Sequence, residues 1–166
     1  MKKLISLLPG VVLSLSPIVA QNLVPNSSFE NNTGCPSGWS QIGLVNQWTS
    51  PSNGTPDYYH TCATVPDMDV PVNISGYAQP HTGNGYVGII TYGDTLTFPG
   101  TPLYVEYIQI PLSSPMIAGQ CYTVQFWVSC CEGTPALIGT DPNIVGLSSH
   151  ISAFISVAPP TAPGWN

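Results

Sequence analysis

The residues best equipped for chemistry in this chain are aromatics set among neutral amides and hydroxyls. Trp39, Trp48, Tyr58, Tyr59, Tyr77, Tyr92, Tyr104 and Trp127 stand beside many Asn, Gln, Ser and Thr. Sugar rings stack on exposed aromatic faces, and neutral amides and hydroxyls complete the hydrogen bonds. Trp48, Tyr58 and Tyr59 fall in a long loop-rich stretch, where binding residues concentrate. They are the first candidates for a carbohydrate platform. Trp127 joins them because it falls on the opposite strand face from Phe126, either open in a groove or packed under a loop. The competing role for each is core filling, since aromatics dominate core burial.

Catalytic chemistry is poorly represented. Two carboxylates could serve glycoside hydrolysis, but eight acids in 166 residues always offer some pair. No Gly-x-Ser-x-Gly elbow occurs. His60, His81 and His150 are dispersed, with no His-Glu-x-x-His arrangement. His60 lies near Asp57 and Cys62, so a Cys-His nucleophile is conceivable, but a disulfide at Cys62 would abolish it. His81 reads as loop scaffolding beside the turn formers Gly83 and Asn84. The expectation is therefore a protein that is not an enzyme. Asp67 and Asp69 form an acidic pair that reads as solvated surface charge.

Charge excludes whole classes of partner. The only basic residues are Lys2 and Lys3, against eight acids. Nucleic acid is excluded, because phosphate contacts rest on Lys and Arg. An anionic membrane surface is excluded on the same ground. The two lysines belong to an export signal: a basic start, an apolar run over Leu4–Leu15, then Ile18-Val19-Ala20 before polar Gln21-Asn22. Cleavage is expected after Ala20. The apolar run is shorter than the ~20 residues a membrane span needs, and Pro9, Gly10 and Pro17 interrupt it.

Five cysteines agree with export, since oxidising compartments permit disulfides. Cys35 and Cys62 form the first expected pair, both in loop-like sequence ahead of the main strands. Cys121 and Cys130 would sit at opposite ends of one strand, roughly 30 Å apart and beyond bridging distance. Cys131 or Cys130 is left to reach another loop. No Cys-x-x-Cys spacing supports zinc.

The elements that must carry these residues are strands joined by turns. With 18 Pro and 16 Gly, the chain shows no convincing amphipathic helix. Short extended pieces are expected at 22–24 and 27–31, then mostly loop over 32–83. A buried strand is expected at 85–92, with Gly88 allowing a close approach. Residues 104–110 alternate, Val105, Tyr107 and Gln109 against Glu106, Ile108 and Ile110. The clearest alternation runs from Cys121 to Cys130, and a last one from His150 to Val157. Such a pattern predicts an all-β sandwich or jelly roll. Six or seven strands fall short of the eight a jelly roll needs, so a closing strand is expected beyond Asn166, in a longer protein.

The run Gln21-Asn22-Leu23-Val24-Pro25-Asn26-Ser27-Ser28-Phe29-Glu30 resembles the opening of secreted jelly-roll domains common in Bacteroidota. Further matching pieces follow in order. They are Cys35-Pro36, Trp48 to Pro51, Gly54 to Tyr59 with Cys62, Gly76-Tyr77, His81 to Gly88, Glu106 to Gln109, and Leu112 to Tyr122. The resemblance implies a galactose-binding-like, carbohydrate-binding-module-like domain. Such domains often precede OmpA-like peptidoglycan-binding or type IX sorting domains. It also implies a structural calcium ion held through Glu30 and a late acidic residue, and the family's closing acidic segment is missing here. Calcium wants six to eight oxygens, so an incomplete site is expected.

Together these readings predict a signal peptide over 1–20, a β-sandwich domain over 21–158 and a loop over 159–166. The expected activity is binding of a glycan or cell-envelope polymer at the outer surface, in the periplasm or outside the cell. A structural or adhesive spacer is the alternative, and part of a secreted glycoside hydrolase a further one.

Overall fold

The computed structural model describes residues 21–91, 93, 104–130 and 151–160. The expected signal peptide, Tyr92, Cys131, His150 and residues 161–166 lie outside the described residues.

The described residues are almost free of helix, and their ladders are short antiparallel pairs. Strand β1 (Asp57–His60) pairs with β4 (Gly85–Gly88), matching Tyr58 with Val87 and Tyr59 with Tyr86. Strand β2 (Val72–Asn73) pairs with β3 (Gly76–Tyr77) around an Ile74-Ser75 turn. The Asn73 side-chain oxygen accepts the Ser75 N–H at 2.9 Å and holds that turn. Two single 3-10 turns, Ile42–Leu44 and Pro66–Met68, complete the regular structure. Among the described residues the architecture is mostly non-helical, with two small antiparallel strand pairs.

Successive side chains of a strand point to opposite faces, and β1 uses both. Tyr58 enters a core with Ile42 and Val45, flanked by Phe29, Leu44, Trp48, Val87 and Ile108. Tyr59 enters a second core with Met68 and Val70, flanked by Ala63, Val65, Ile74 and Tyr86. A four-residue strand thus divides two apolar clusters. Close contact with β4 depends on glycine. A Cβ on Gly88 would lie 2.7 Å from the Tyr59 ring, and one on Gly85 would lie 2.8 Å from the His60 ring. The close approach expected at Gly88 is therefore present.

Several expected strands are not formed. Residues 25–28 make a turn, with Asn26 and Phe29 at positive φ (47° and 62°), where extended pieces were expected. Within the expected loop 32–83, β1, β2 and β3 form. Residues 104–110 contribute isolated bridges, Tyr104 to Gly93 and Gln109 to Thr49, plus the Glu106 N–H on Ile90 O at 2.7 Å. Residues 121–130 and 151–157 join no ladder among the described residues. Alternation alone does not make a strand; a neighbouring chain must take up its N–H and C=O groups. Here no described segment does so, and Val124, Phe126 and Val128 are exposed.

Candidate functional site

The opening run Asn26–Glu30 folds as a bracket. The Asn26 side chain accepts the Asn31 N–H at 2.9 Å and donates to Asn31 O and Asn46 O. Asn26 tolerates positive φ better than most residues, which suits it to this bend. The Phe29 ring tilts against Trp48 at 5.0 Å, and the Trp48 indole N–H donates to Asn26 O at 3.0 Å. Trp48 therefore fastens the bracket with both its face and its edge.

The bracket aims Glu30 at the loop entering β4. One carboxylate oxygen accepts the N–H groups of Asn84 (2.7 Å) and Gly85 (3.0 Å), and the other accepts the Asn84 side-chain amide (3.0 Å). Burial pushes this carboxyl up, but the three donors and the nearby His60 outweigh it and hold it below its ordinary range. Gly83 turns at positive φ directly over the carboxylate, where a Cβ would collide with it. The expected calcium role does not fit this arrangement. Glu30 faces N–H donors, which have the wrong polarity for a cation's partners. Among the described residues no group of three or more His, Cys, Asp or Glu is placed to hold a metal.

Tyr58 and Tyr59 are core residues, 0% and 2% exposed. The Tyr58 hydroxyl donates to Phe29 O and accepts from the Asn32 amide, both at 3.0 Å. Tyr59 stacks on Tyr86 at 5.1 Å, with its hydroxyl 2.8 Å from the Ser75 hydroxyl. Neither ring keeps an open face for a ligand. The reason is the pleat: adjacent tyrosines on a strand with a core on each side are both buried.

Trp127 is different. It is 66% exposed, and one of its faces stacks on the His81 ring at 3.9 Å and 12°. His81 opens the loop that Glu30 pins. Upstream of it the chain alternates: Tyr77, Gln79 and His81 are exposed, while Ala78 and Pro80 are half-buried. The Ala78 N–H donates to Pro71 O at 2.9 Å, which fixes this alternation. The Gln79 amide donates to the Tyr77 hydroxyl at 2.9 Å. An exposed ribbon results, with an aromatic ring at each end and an amide between. Sequence reasoning found Trp127 but read its stacking partner His81 as loop scaffolding. The period-two pattern after Gly76 was the available signal.

The Cys-His arrangement resolves as structural. Cys35 and Cys62 form a disulfide with Cα atoms 5.4 Å apart. The ring nitrogen Nδ1 of His60 accepts the Cys62 N–H at 3.0 Å. Cys62 therefore offers His60 no free thiol. Cys121 and Cys130 are free.

A buried carboxylate escaped the sequence reading. Glu106 is 4% exposed. One of its oxygens accepts the Thr55 N–H (2.8 Å), the Thr55 hydroxyl (3.1 Å) and the Tyr104 hydroxyl (2.9 Å). The other accepts the Ile90 N–H at 2.9 Å. Nearby Asp57 accepts the Ser40 N–H at 2.6 Å. Burial pushes Asp57 up and the charge of Glu106 adds to this, against the lowering effect of the Ser40 and Tyr59 donors. Both carboxylates are spent on internal donors and tie separate loops together.

No protein-family model matches this chain, and no curated protein or solved structure matches it either.

Proposed function

We propose that this chain is an exported, non-catalytic surface module of jelly-roll type that binds a carbohydrate or cell-envelope polymer as part of a larger protein. The observation that carries the reading is the Trp127–His81 stack at one end of the Tyr77–Gln79–His81 ribbon. An indole held flat on one side and open on the other is ready to take a sugar ring at little cost in ordering. The disulfide supports an oxidising, exported setting. Among the described residues no helix is long and apolar enough to cross a membrane. The absence of Lys and Arg after Lys3 argues against nucleic acid and anionic lipid as partners. Asp57 and Glu106 are engaged internally, which favours binding over catalysis. The exposed Val124, Phe126 and Val128 favour a second reading, an adhesive or spacer segment.

The test is tryptophan fluorescence of the full chain during titration with soluble polysaccharides. Binding is expected to shift the emission, and Trp127→Ala is expected to weaken affinity by at least about tenfold. A complete polysaccharide panel with no binding would overturn the carbohydrate reading and leave the adhesive one.

A further inference from the structure

The ribbon that begins at Tyr77 and ends at the Trp127–His81 stack adjoins segments that carry carboxylates on both sides. At the His81 end stands Glu30, bonded to Asn84 only three residues along the chain. Three residues span at most about 11 Å between Cα atoms. Near the Tyr77 end, the turn after β2 is fastened to the Pro66–Met68 turn by the Ile74 N–H on Asp67 O at 3.1 Å. That turn carries exposed Asp67 and is followed by half-buried Asp69. The ribbon itself offers an amide, a phenol, an indole and an imidazole. Residues 21–166 contain eight carboxylates and no Lys or Arg.

We infer that the Tyr77–Gln79–His81–Trp127 ribbon selects neutral polysaccharides, built of hydroxyl or acetamido sugars, and rejects polymers bearing carboxylate or sulfate groups. The inference rests on the carbohydrate reading above and narrows its ligand class. An anionic sugar laid along this ribbon meets a chain with eight carboxylates and no Lys or Arg after Lys3. It finds no guanidinium or ammonium to pair with, although bidentate Arg is the usual device for holding a carboxylate. Like charges about 4 Å apart cost about 1 kcal/mol in water and less at greater separation, so the repulsion acts on the polymer through the field of the whole acidic chain. A neutral chain incurs none of this. Its hydroxyls can donate to the remaining lone pairs of Glu30 and accept from Gln79 and Tyr77. The repulsion is long-range and screened by salt, so the discrimination against acidic polymers should be greatest at low salt.

The experiment is affinity electrophoresis of the full chain through gels containing neutral polymers (a mixed-linkage glucan, a galactomannan, a soluble chitin derivative) or acidic ones (polygalacturonate, alginate). Each is run at low and at high salt. Trp127→Ala and Tyr77→Ala run alongside, their folding checked by near-ultraviolet circular dichroism. Retardation by at least one neutral polymer, lost in both variants, with binding to acidic polymers at least about tenfold weaker, is the expected result. Equal or stronger retardation by the acidic polymers at low salt would overturn the inference while leaving carbohydrate binding intact. Retardation by neutral polymers that survives both substitutions would overturn the assignment to this ribbon. No retardation by any polymer would overturn the carbohydrate reading and the inference with it.

Discussion

Glu30 and Asn84 meet through both ends of each other's polar chemistry: the Asn84 backbone N–H and side-chain amide donate to the two carboxylate oxygens at 2.7 and 3.0 Å. They are separated by 54 residues. The contact joins the chain's opening bracket to the loop that carries His81. Its strength is that of charge-assisted hydrogen bonds, about 1.5–3 kcal/mol where fully buried and less at this half-buried position.

Glu30→Gln should therefore destabilise the fold by about 1 kcal/mol at neutral pH. The folded Glu30 lies below its ordinary 4.5, so its contribution is complete above that value. It is lost as pH falls through the lower folded value. Urea unfolding midpoints of parent and variant should thus differ at neutral pH and converge well below 4.5. A difference that persisted unchanged into acid would show that the carboxylate charge is not what holds the loop.

Asp57 behaves in the opposite sense. Its folded value is raised above the ordinary 3.8, first by burial and then by the charge of Glu106, with Ser40 and Tyr59 opposing. Ionisation therefore costs stability. The penalty builds as pH rises through 3.8 and is complete above the raised value. An amide keeps an oxygen for the Ser40 N–H. Asp57→Asn should accordingly leave stability unchanged or raise it by up to about 1 kcal/mol at neutral pH, measured by thermal melting. A loss of several degrees would mean that the carboxylate itself is required at that position.

The two acids illustrate what the sequence made legible. Glu30 was singled out only as a calcium ligand implied by a resemblance, whereas its carboxylate serves N–H groups. Asp57 and the Tyr58-Tyr59 pair read as loop because a strand with one buried face should alternate, and β1 buries both. Gly88 was legible since a glycine within a β-branched, aromatic run signals close backbone approach, and Tyr59 is what approaches it. The alternation at 121–130 was legible as a pattern, but it says nothing of which segment should pair with it. Glu106 could have been found. It shares its alternation face with Ile108, and an acid on an apolar face signals a buried, satisfied carboxylate.

Glu106 supports the third prediction. Its four donors come from Thr55, Tyr104 and Ile90, with no cation among them. Burial pushes the Tyr104 phenol up, and the charge of Glu106 and its hydrogen bond add to this against the opposing Thr55 contacts. The hydroxyl thus stays a donor well into alkaline conditions. In Glu106→Gln the amide nitrogen must face either the Ile90 N–H or the Thr55–Tyr104 donors, leaving donors opposed and buried. The expected cost is about 2–3 kcal/mol, read from urea unfolding. Glu106→Ala, which leaves the same N–H groups without an acceptor, should be at least as damaging. If Glu106→Gln matched the parent, the donors would have to be satisfied by water, and the tie between these loops would be weaker than the distances indicate.

The disulfide gives the last prediction. Cys35 and Cys62 close a loop with a sequence separation of 27, which contains the Ile42–Leu44 turn and all of β1. Cross-linking a loop of this length removes unfolded-state entropy worth about 3.5 kcal/mol on the chain-entropy model. That is a large share of the roughly 5–15 kcal/mol that holds a typical domain together. Cys35→Ser with Cys62→Ser should lower the melting temperature steeply. The effect should equal that of reductant on the parent, because Cys121 and Cys130 are already free. Alkylation of the native protein before and after reduction, read by intact mass, separates the two classes of cysteine. Cys35 and Cys62 should be protected until reduction, and Cys121, which is exposed, should react at once. A double variant as stable as the oxidised parent would shift the weight from this cross-link to the packing of Tyr58 and Tyr59 on either side of β1.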